Sequence, residues 1–237
     1  LKQLAEMTFQ LKYFDARGAA EVSRVLFAIG EQDYEDIRYQ FDKATRVAAE
    51  FTAAKESGEL KVNFNRVPVL RTDDGVTSIG QSKSIERYLA RRFGLMGQSP
   101  NEDALVDCIA EHVGEIKQAA SKKGFSMFTR GKSEEEKAQA RKEWFETDFP
   151  AQLKKLDTMV TGETSTSLNE MNGFAVGKAL TYADVMIWSM IRDCSPTDQE
   201  YTAKAAEKCE ALEAIADNVS SDPRVEKWIN ERPSTSF

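Results

Sequence analysis

The sequence predicts a small α/β domain followed by an all-helical domain. Over the first 93 residues, strand-like alternation and helix-like spacing follow each other in the order βαβαββα, whereas beyond residue 100 the apolar residues recur at helical spacing. Glycine, serine and proline cluster between the two regions, which is typical of a linker. We therefore expect an α/β domain over residues 1–93, a linker over 94–100 and a helical domain over 101–237.

The α/β domain is predicted element by element from its alternating and periodic apolar residues. Its strands are expected at residues 8–14, 33–39, 67–71 and 76–79, and its helices at residues 18–29, 44–57 and 82–93. Gly30 and Gly58 follow the first two helices and favour helix ends, and Asp73-Asp74-Gly75 predicts the turn between the last two strands. This order predicts a mixed sheet.

The helical domain is predicted from periodic segments near residues 102–121, 133–160, 181–193, 200–217 and 223–231. Pro150 removes a backbone donor, so it is expected to kink or split the second segment. Thr181 and Asp184 have the spacing of a capping box, and the apolar run from Val185 to Trp188 predicts a helix in the centre of the domain. We expect Thr181 and Asp184 to serve folding rather than catalysis.

The composition argues against several classes of partner. With 32 basic and 39 acidic residues the formal charge is −7, so neither nucleic acid nor an anionic membrane is expected to bind. No apolar run approaches the roughly 18 residues of a spanning helix, and no secretory leader is apparent. Three distant cysteines without a Cys-x-x-Cys pair predict buried thiols in a reducing, cytoplasmic compartment. His112, the single histidine, is expected to be solvated, so neither a zinc site nor a Ser-His-Asp triad is predicted.

The segment Val67-Pro68, followed by Gln81-Ser82, predicts half of a peptide-binding site. Proline cannot donate to a sheet ladder, so the third strand should stop pairing there, and a cis bond would make a sharp bend. Such a bend leaves the N–H and C=O of Val67 free to pair with an extended ligand. The helix start at Ser82 offers free amides and a positive dipole end, which suits a carboxylate. An ordinary hairpin strand and a capped helix are the alternative interpretation.

Four stretches of the chain have an informative order and spacing. They are Tyr13-Phe14-Asp15-Ala16-Arg17-Gly18-Ala19-Ala20-Glu21, Arg66-Val67-Pro68-Val69-Leu70, Gln81-Ser82 and Gly173-Phe174-x-Val-Gly-x-x-Leu180-Thr181-Tyr182-Ala183-Asp184. Together they resemble the glutathione transferases, and among them the sigma class, over nearly the whole chain. The resemblance implies a thioredoxin-like N-terminal domain that binds glutathione and a helical domain that forms the pocket for an electrophile.

The same resemblance implies a role for each matching residue. Tyr13 is expected to be catalytic, because in this family it donates its hydroxyl hydrogen to the sulfur of glutathione and stabilises the thiolate. Val67, next to Pro68, would pair its backbone with the cysteinyl unit. Gln81 and Ser82 would hold the γ-glutamyl carboxylate at the helix start.

Further contacts with the ligand are implied at less closely matching positions. Arg66 is expected to face either the glycine carboxylate or solvent, and Lys43, in the loop after the second strand, is a candidate for the same carboxylate. Phe14 is expected to border the substrate pocket. Glu115 would reach the ligand amine from the partner subunit, which implies a symmetric homodimer.

Several residues depart from the family pattern. Ala19 stands where many sigma-class enzymes carry a second arginine. Lys122 stands where prostaglandin D synthases of this class carry a tryptophan, and Gly114 replaces one member of their metal-linked acidic cluster. We therefore predict neither prostaglandin synthesis nor a metal site.

The predicted function is that of a cytoplasmic, homodimeric transferase that conjugates glutathione to electrophilic small molecules. Glutathione is a co-substrate in this interpretation, and no permanently bound cofactor is expected. Peroxidase or isomerase activity is compatible with the same site. The alternative is a non-catalytic glutathione-binding or structural member of the fold, such as a crystallin-like protein or an assembly module.

Overall fold

The computed structural model describes residues 8–42, 48–126, 129–161 and 172–235. Contacts divide the chain into two compact units, one formed by residues 1–93 together with 223–237 and the other by residues 94–222. Among the described residues, no helix is long and apolar enough to cross a membrane.

The first unit is built on a mixed sheet. Within the described residues the strands are β1 (Phe9–Phe14), β2 (Tyr34–Tyr39), β3 (Val69–Arg71) and β4 (Ser78–Gly80). They lie in the order β2-β1-β3-β4, with β1 and β2 parallel and the other pairs antiparallel. The helices of this unit are α1 (Glu21–Ile29), α2 (Ala49–Ser57), α3 (Ser82–Arg92) and α10 (Pro223–Glu231), with 3-10 turns at Gly18–Ala20 and Lys61–Asn63. The predicted mixed sheet and the order βαβαββα are confirmed.

The third strand begins later than the sequence pattern predicted. Pairing starts at Val69 instead of Val67, because Pro68 has no N–H to donate and Val67 lies in a bend. The cis bond considered for Val67-Pro68 is present.

The C-terminal helix α10 packs on α1. Arg224 donates from Nη1 to the carbonyl of Ile29 at 2.8 Å, and the indole N–H of Trp228 donates to Glu21 Oε1 at 2.9 Å. Arg232 bonds the same Glu21 oxygen at 2.8 Å. These contacts group α10 with the first unit, whereas the sequence pattern placed it in a helical domain over residues 101–237.

The second unit is helical in the part that the structure describes, as predicted. Its elements are α4 (Pro100–Lys123), α5 (Glu134–Glu143), a π-helical segment (Trp144–Asp148), α6 (Phe149–Val160), α7 (Tyr182–Ile191), α8 (Gln199–Ala206) and α9 (Glu210–Ser220). The predicted break near Pro150 takes the form of the π-helical segment, since a proline cannot donate to the preceding turn. The predicted helix over 200–217 is interrupted between Ala206 and Glu210.

The helix α7 forms the centre of this unit. All of its residues are buried, including Val185, Ile187 and Trp188. Asp184 accepts hydrogen bonds from the backbone N–H and the hydroxyl of Thr181, which completes the predicted capping box. The prediction of buried thiols was correct for Cys209 but wrong for Cys108, which is exposed on α4.

Candidate active site

The sheet register places Tyr13 beside the proline bend. Antiparallel pairing of β1 with β3 sets Lys12 opposite Val69. The next residue of β1 is Tyr13, and the residue just before β3 is Pro68, so both lie near the end of the sheet where β1 stops. Since neighbouring strands are about 4.8 Å apart, the tyrosine and the bend border the same small region.

The hydroxyl of Tyr13 is held by the loop that follows β1. The backbone N–H of Ala19 donates to the Tyr13 hydroxyl oxygen at 3.1 Å. Gly18 makes this approach feasible, because a Cβ atom there would lie 2.6 Å from that oxygen and because its φ of +43° favours glycine. A phenol both accepts and donates, so accepting from Ala19 leaves its own hydrogen for a ligand.

Arg24 anchors this loop and was missed by the sequence analysis. Its side chain is fully buried, and its Nη1 donates to the carbonyl of Ala16 at 2.7 Å. Its Nε bonds Asp36 on β2 at 3.1 Å, and its guanidinium carbon lies 6.0 Å from the ring centre of Tyr13. The available signal was a basic residue within the apolar pattern of the first helix, which usually means a buried, paired charge.

The proline bend presents unpaired backbone to a ligand. Within the described part of the chain, neither the N–H nor the C=O of Val67 makes a hydrogen bond. The neighbouring carbonyl of Pro68 is occupied, since it accepts from Nδ2 of the buried Asn63 at 2.9 Å. The predicted free donor and acceptor are therefore both at Val67, while Asn63 holds the bend and was not predicted.

Gln81 and Ser82 lie at the start of α3, next to the bend. Gln81 precedes the helix with a φ of +68°, which is uncommon outside glycine, and its side chain is exposed. Ser82 is the first helical residue, where backbone N–H groups lack intrahelical partners. Gly80 allows the close packing here, because a Cβ atom would lie 2.7 Å from the side chain of Asn63. Strained backbone of this kind is often found at ligand sites.

The other residues of the first unit that were predicted for the site include Arg66 and Phe14, and both contact aromatic side chains of the chain itself. Arg66 is exposed, with its guanidinium 5.8 Å from the ring centre of Phe64. Phe14 is partly buried and packs its ring 4.9 Å from that of Phe51, against a cluster of buried apolar side chains. Lys43 lies outside the described residues. The roles proposed for Arg66 and Phe14 therefore remain predictions, and both side chains already have packing partners.

The second unit holds the other predicted residues. Glu115 is exposed on α4, with Oε2 3.5 Å from Nδ1 of the exposed His112, so His112 is solvated as expected. A cavity of about 220 Å³ lies within this unit. It is bordered mainly by apolar side chains, among them Ile116, Phe125, Trp144, Phe145, Phe149 and Met190.

Comparisons with known proteins agree over both units. Residues 9–91 match the family model of the glutathione S-transferase N-terminal domain, and residues 121–232 match that of the glutathione S-transferase C-terminal domain. The hematopoietic prostaglandin D synthase of Gallus gallus is 34% identical over 230 residues, which cover 97% of this chain and 98% of the relative.

Two solved structures are also similar to this chain. A major nematode-specific glutathione transferase of Caenorhabditis elegans is 28% identical, with a TM-score of 0.77 and coverage of 97% and 99% of the two chains. A monomeric glutathione transferase of the hookworm Necator americanus is 29% identical, with a TM-score of 0.72 and coverage of 97% and 100%.

Proposed function

The chain belongs to the glutathione S-transferase family, and from that premise we propose that Tyr13 activates the thiol of glutathione for attack on electrophilic small molecules. The observation that carries the proposal is the hydrogen bond from the Ala19 N–H to the Tyr13 hydroxyl. This bond fixes the oxygen and leaves the hydroxyl hydrogen for the sulfur. A purely structural protein would have no need of Tyr13 in combination with Gln81 and Ser82.

The free energy of one hydrogen bond from Tyr13 is sufficient for this role. A free thiol has a pKa of about 8.5. Lowering that pKa by about two units requires roughly 2.7 kcal/mol of preference for the thiolate over the thiol. One hydrogen bond to a charged group supplies about 1.5 to 3 kcal/mol. A single donor at Tyr13 therefore accounts for most of the activation.

We assign the binding of glutathione itself to the neighbouring backbone. The free N–H and C=O of Val67 match one antiparallel pair with the cysteinyl unit, and the start of α3 at Gln81 and Ser82 suits the γ-glutamyl carboxylate. Arg66 is exposed and is proposed, together with Lys43, to attract the glycine carboxylate. Glutathione is the co-substrate in this proposal.

We place the electrophile partly in the helical unit, because its cavity is lined by aromatic and aliphatic side chains that suit apolar substrates. Phe125 borders that cavity, whereas Met127 and Phe128 lie outside the described residues. Phe14, in the first unit, is proposed to border the electrophile. Isomerase activity is a second candidate because a similar chicken protein is named a prostaglandin D synthase, although Lys122 replaces the expected tryptophan.

We propose a cytoplasmic homodimer of the sigma-like class. Free thiols at Cys108, Cys194 and Cys209 are consistent with a reducing compartment. Dimerisation is supported by the ring of Phe64, which is 81% exposed. A large exposed aromatic side chain is common in protein interfaces. The partner subunit would then contribute Glu115 to the ligand amine.

The proposal is tested by conjugation of glutathione to a chlorinated nitroaromatic. We expect Tyr13→Phe to lower kcat/KM by about 10- to 100-fold, the equivalent of one charged hydrogen bond, and to raise the apparent pKa of the bound thiol. Tyr88→Phe is the matched control, since Tyr88 is a partly exposed tyrosine of α3 in the same unit. Equal rates for wild type and Tyr13→Phe would remove the catalytic role. A wild type that neither conjugates nor binds glutathione in calorimetry would favour the structural alternative.

A further inference from the structure

The apolar cavity of the helical unit has a basic side chain in its wall, Lys117 of α4. Although Lys117 is an exposed residue, its Nζ donates to the hydroxyl oxygen of Ser189 at 2.7 Å. Ser189 lies on the central helix α7, is only 6% exposed and borders the same cavity. A surface lysine normally extends its charged end into water, whereas this ammonium is turned inward.

Ser189 is arranged to receive the lysine. Its own hydroxyl hydrogen is donated to the carbonyl of Met186 at 2.8 Å, one turn earlier in α7. Because that hydrogen is already used, the hydroxyl oxygen acts as an acceptor for Lys117 and fixes the ammonium at the wall of the cavity. An ammonium carries three hydrogens, and the bond to Ser189 uses one of them. The same group can therefore donate to an oxygen atom of a ligand.

The charges around the cavity favour an uncharged acceptor over an anion. Two carboxylates, Asp193 and Asp198, border the cavity together with Lys117. Asp198 is paired with Arg141 of α5. The charges at the wall therefore balance, and an anionic ligand would bring an uncompensated negative charge into a largely apolar space. An uncharged carbonyl oxygen accepts from an ammonium without this cost.

We propose that Lys117 determines specificity by selecting aromatic electrophiles that carry an uncharged acceptor, such as a carbonyl group. This inference rests on the function proposed above, in which the electrophile lies partly in this cavity. The ring of the electrophile lies against aromatic walls such as Phe145 and Phe149, and its carbonyl oxygen accepts from Lys117. Ser189 is a positioning residue, because it holds the ammonium and does not itself touch the substrate.

The test compares conjugation of glutathione to 4-acetylbenzyl chloride and to benzyl chloride, which lacks the carbonyl. In both reactions the thiolate sulfur bonds the benzylic carbon and chloride leaves, and the readout is the ratio of the two kcat/KM values. We expect Lys117→Met to lower this ratio about tenfold, the effect of one hydrogen bond to a charged group. Ser189→Ala should lower the ratio by less, because the ammonium remains but is no longer fixed. Lys155→Met, at an exposed lysine of α6 that does not border the cavity, should keep the wild-type ratio.

Two inhibitors that cannot react measure binding alone. We expect 4-methylacetophenone to inhibit wild type more strongly than 4-methylbenzoate does, and its Ki to rise about tenfold in Lys117→Met. A wild type that prefers 4-methylbenzoate would show that the ammonium selects anions, and would overturn the assignment.

The inference also fails if Lys117→Met and wild type give the same ratio for the two chlorides, although the proposed transferase function survives that result. A wild type that conjugates the chlorinated nitroaromatic but neither benzyl chloride likewise overturns this inference alone. A wild type that conjugates none of the three overturns both.

Discussion

Ala19 donates its backbone N–H to the hydroxyl oxygen of Tyr13 across 3.1 Å. The bond joins Tyr13, the residue proposed to activate the thiol, to the loop that follows β1. That loop is itself held in place, because Arg24 donates to the carbonyl of Ala16 within it at 2.7 Å. A fixed donor is effective in catalysis because it needs no reorganisation when charge develops on the sulfur. The position of the loop, and not only the presence of a phenol, should therefore control the rate.

Gly18→Ala tests this dependence on position without removing the hydroxyl. The added Cβ atom would lie 2.6 Å from the Tyr13 oxygen, so either the ring or the loop must move. Misplacement by about 1 Å commonly costs about 100-fold in rate, so we expect kcat to fall by about 10- to 100-fold. Steady-state kinetics with saturating glutathione measure this change.

Gly94→Ala is the matched control for Gly18→Ala. Both glycines have positive φ, +43° at Gly18 and +70° at Gly94, but a Cβ atom at Gly94 meets nothing within 4 Å. Both variants should lose about 1 kcal/mol of stability through backbone strain, and only Gly18→Ala should lose activity. Full activity in Gly18→Ala would show that the loop does not set the position of Tyr13.

Asn63→Ala is expected to weaken glutathione binding more than it slows the chemical step. The Asn63 amide holds the carbonyl of Pro68 at 2.9 Å in a buried setting, so its loss leaves that carbonyl unpaired and loosens the bend at Val67. We expect a loss of about 1 to 3 kcal/mol in the free energy of unfolding, measured in urea, and a raised Kd for glutathione in calorimetry.

Asn218→Ala provides the comparison for Asn63→Ala. Asn218 bonds the carbonyl of Gly173 at 2.7 Å in the same chemical manner, but at an exposed position in the helical unit. Asn218→Ala should lower the free energy of unfolding less than Asn63→Ala does, and it should leave the affinity for glutathione unchanged. If both variants bind glutathione like wild type, Asn63 has no part in the site.

Local chemistry made part of this molecule predictable from sequence. A proline between valines indicated where β3 stops pairing, and apolar spacing indicated α1, α3 and the central α7. Contacts that depend on the arrangement of the folded backbone carried no such signal. Asn63 reaches Pro68 only because β3 and the preceding turn are packed together, and helical periodicity does not reveal that Trp228 bonds Glu21, 207 residues earlier.

Phe64→Ala should weaken the proposed homodimer. The ring is 81% exposed, and burying a phenylalanine contributes about 1.5 to 3 kcal/mol. A symmetric interface repeats the contact, so the dimer dissociation constant should rise by at least about 100-fold, measured by sedimentation velocity. Val76→Ala, at an 85% exposed side chain in the hairpin turn, should leave the dimer intact. A monomeric wild type, like the hookworm relative, would contradict both the dimer and the role of Glu115.

Two buried carboxylates should give the stability of the protein opposite dependences on pH. Burial raises the pKa of Asp184 to about 6, although hydrogen bonds from Thr181 and Ala175 oppose the rise. Burial alone would also raise the pKa of Glu21, but hydrogen bonds from Trp228 and Arg232 bring it below its usual value. The folded state therefore favours the protonated form of Asp184 and the ionised form of Glu21.

The sign of each contribution follows from proton binding. The stability from protonated Asp184 is full below the unfolded pKa of 3.8 and is lost as pH rises to about 6. The stability from ionised Glu21 is present above its unfolded pKa of 4.5 and is lost as pH falls through its lower folded pKa.

Asp184→Asn and Glu21→Gln separate the two contributions, with each variant serving as the control for the other. Between pH 4 and 6, the free energy of unfolding of wild type relative to Asp184→Asn should fall by on the order of 1 kcal/mol per pH unit. Relative to Glu21→Gln it should rise as pH increases from acid towards 4.5 and then level off. Urea unfolding from acid pH up to pH 6 measures both. If stability relative to Asp184→Asn instead rises with pH, the hydrogen bonds from Thr181 and Ala175 outweigh burial and Asp184 is ionised in the folded protein.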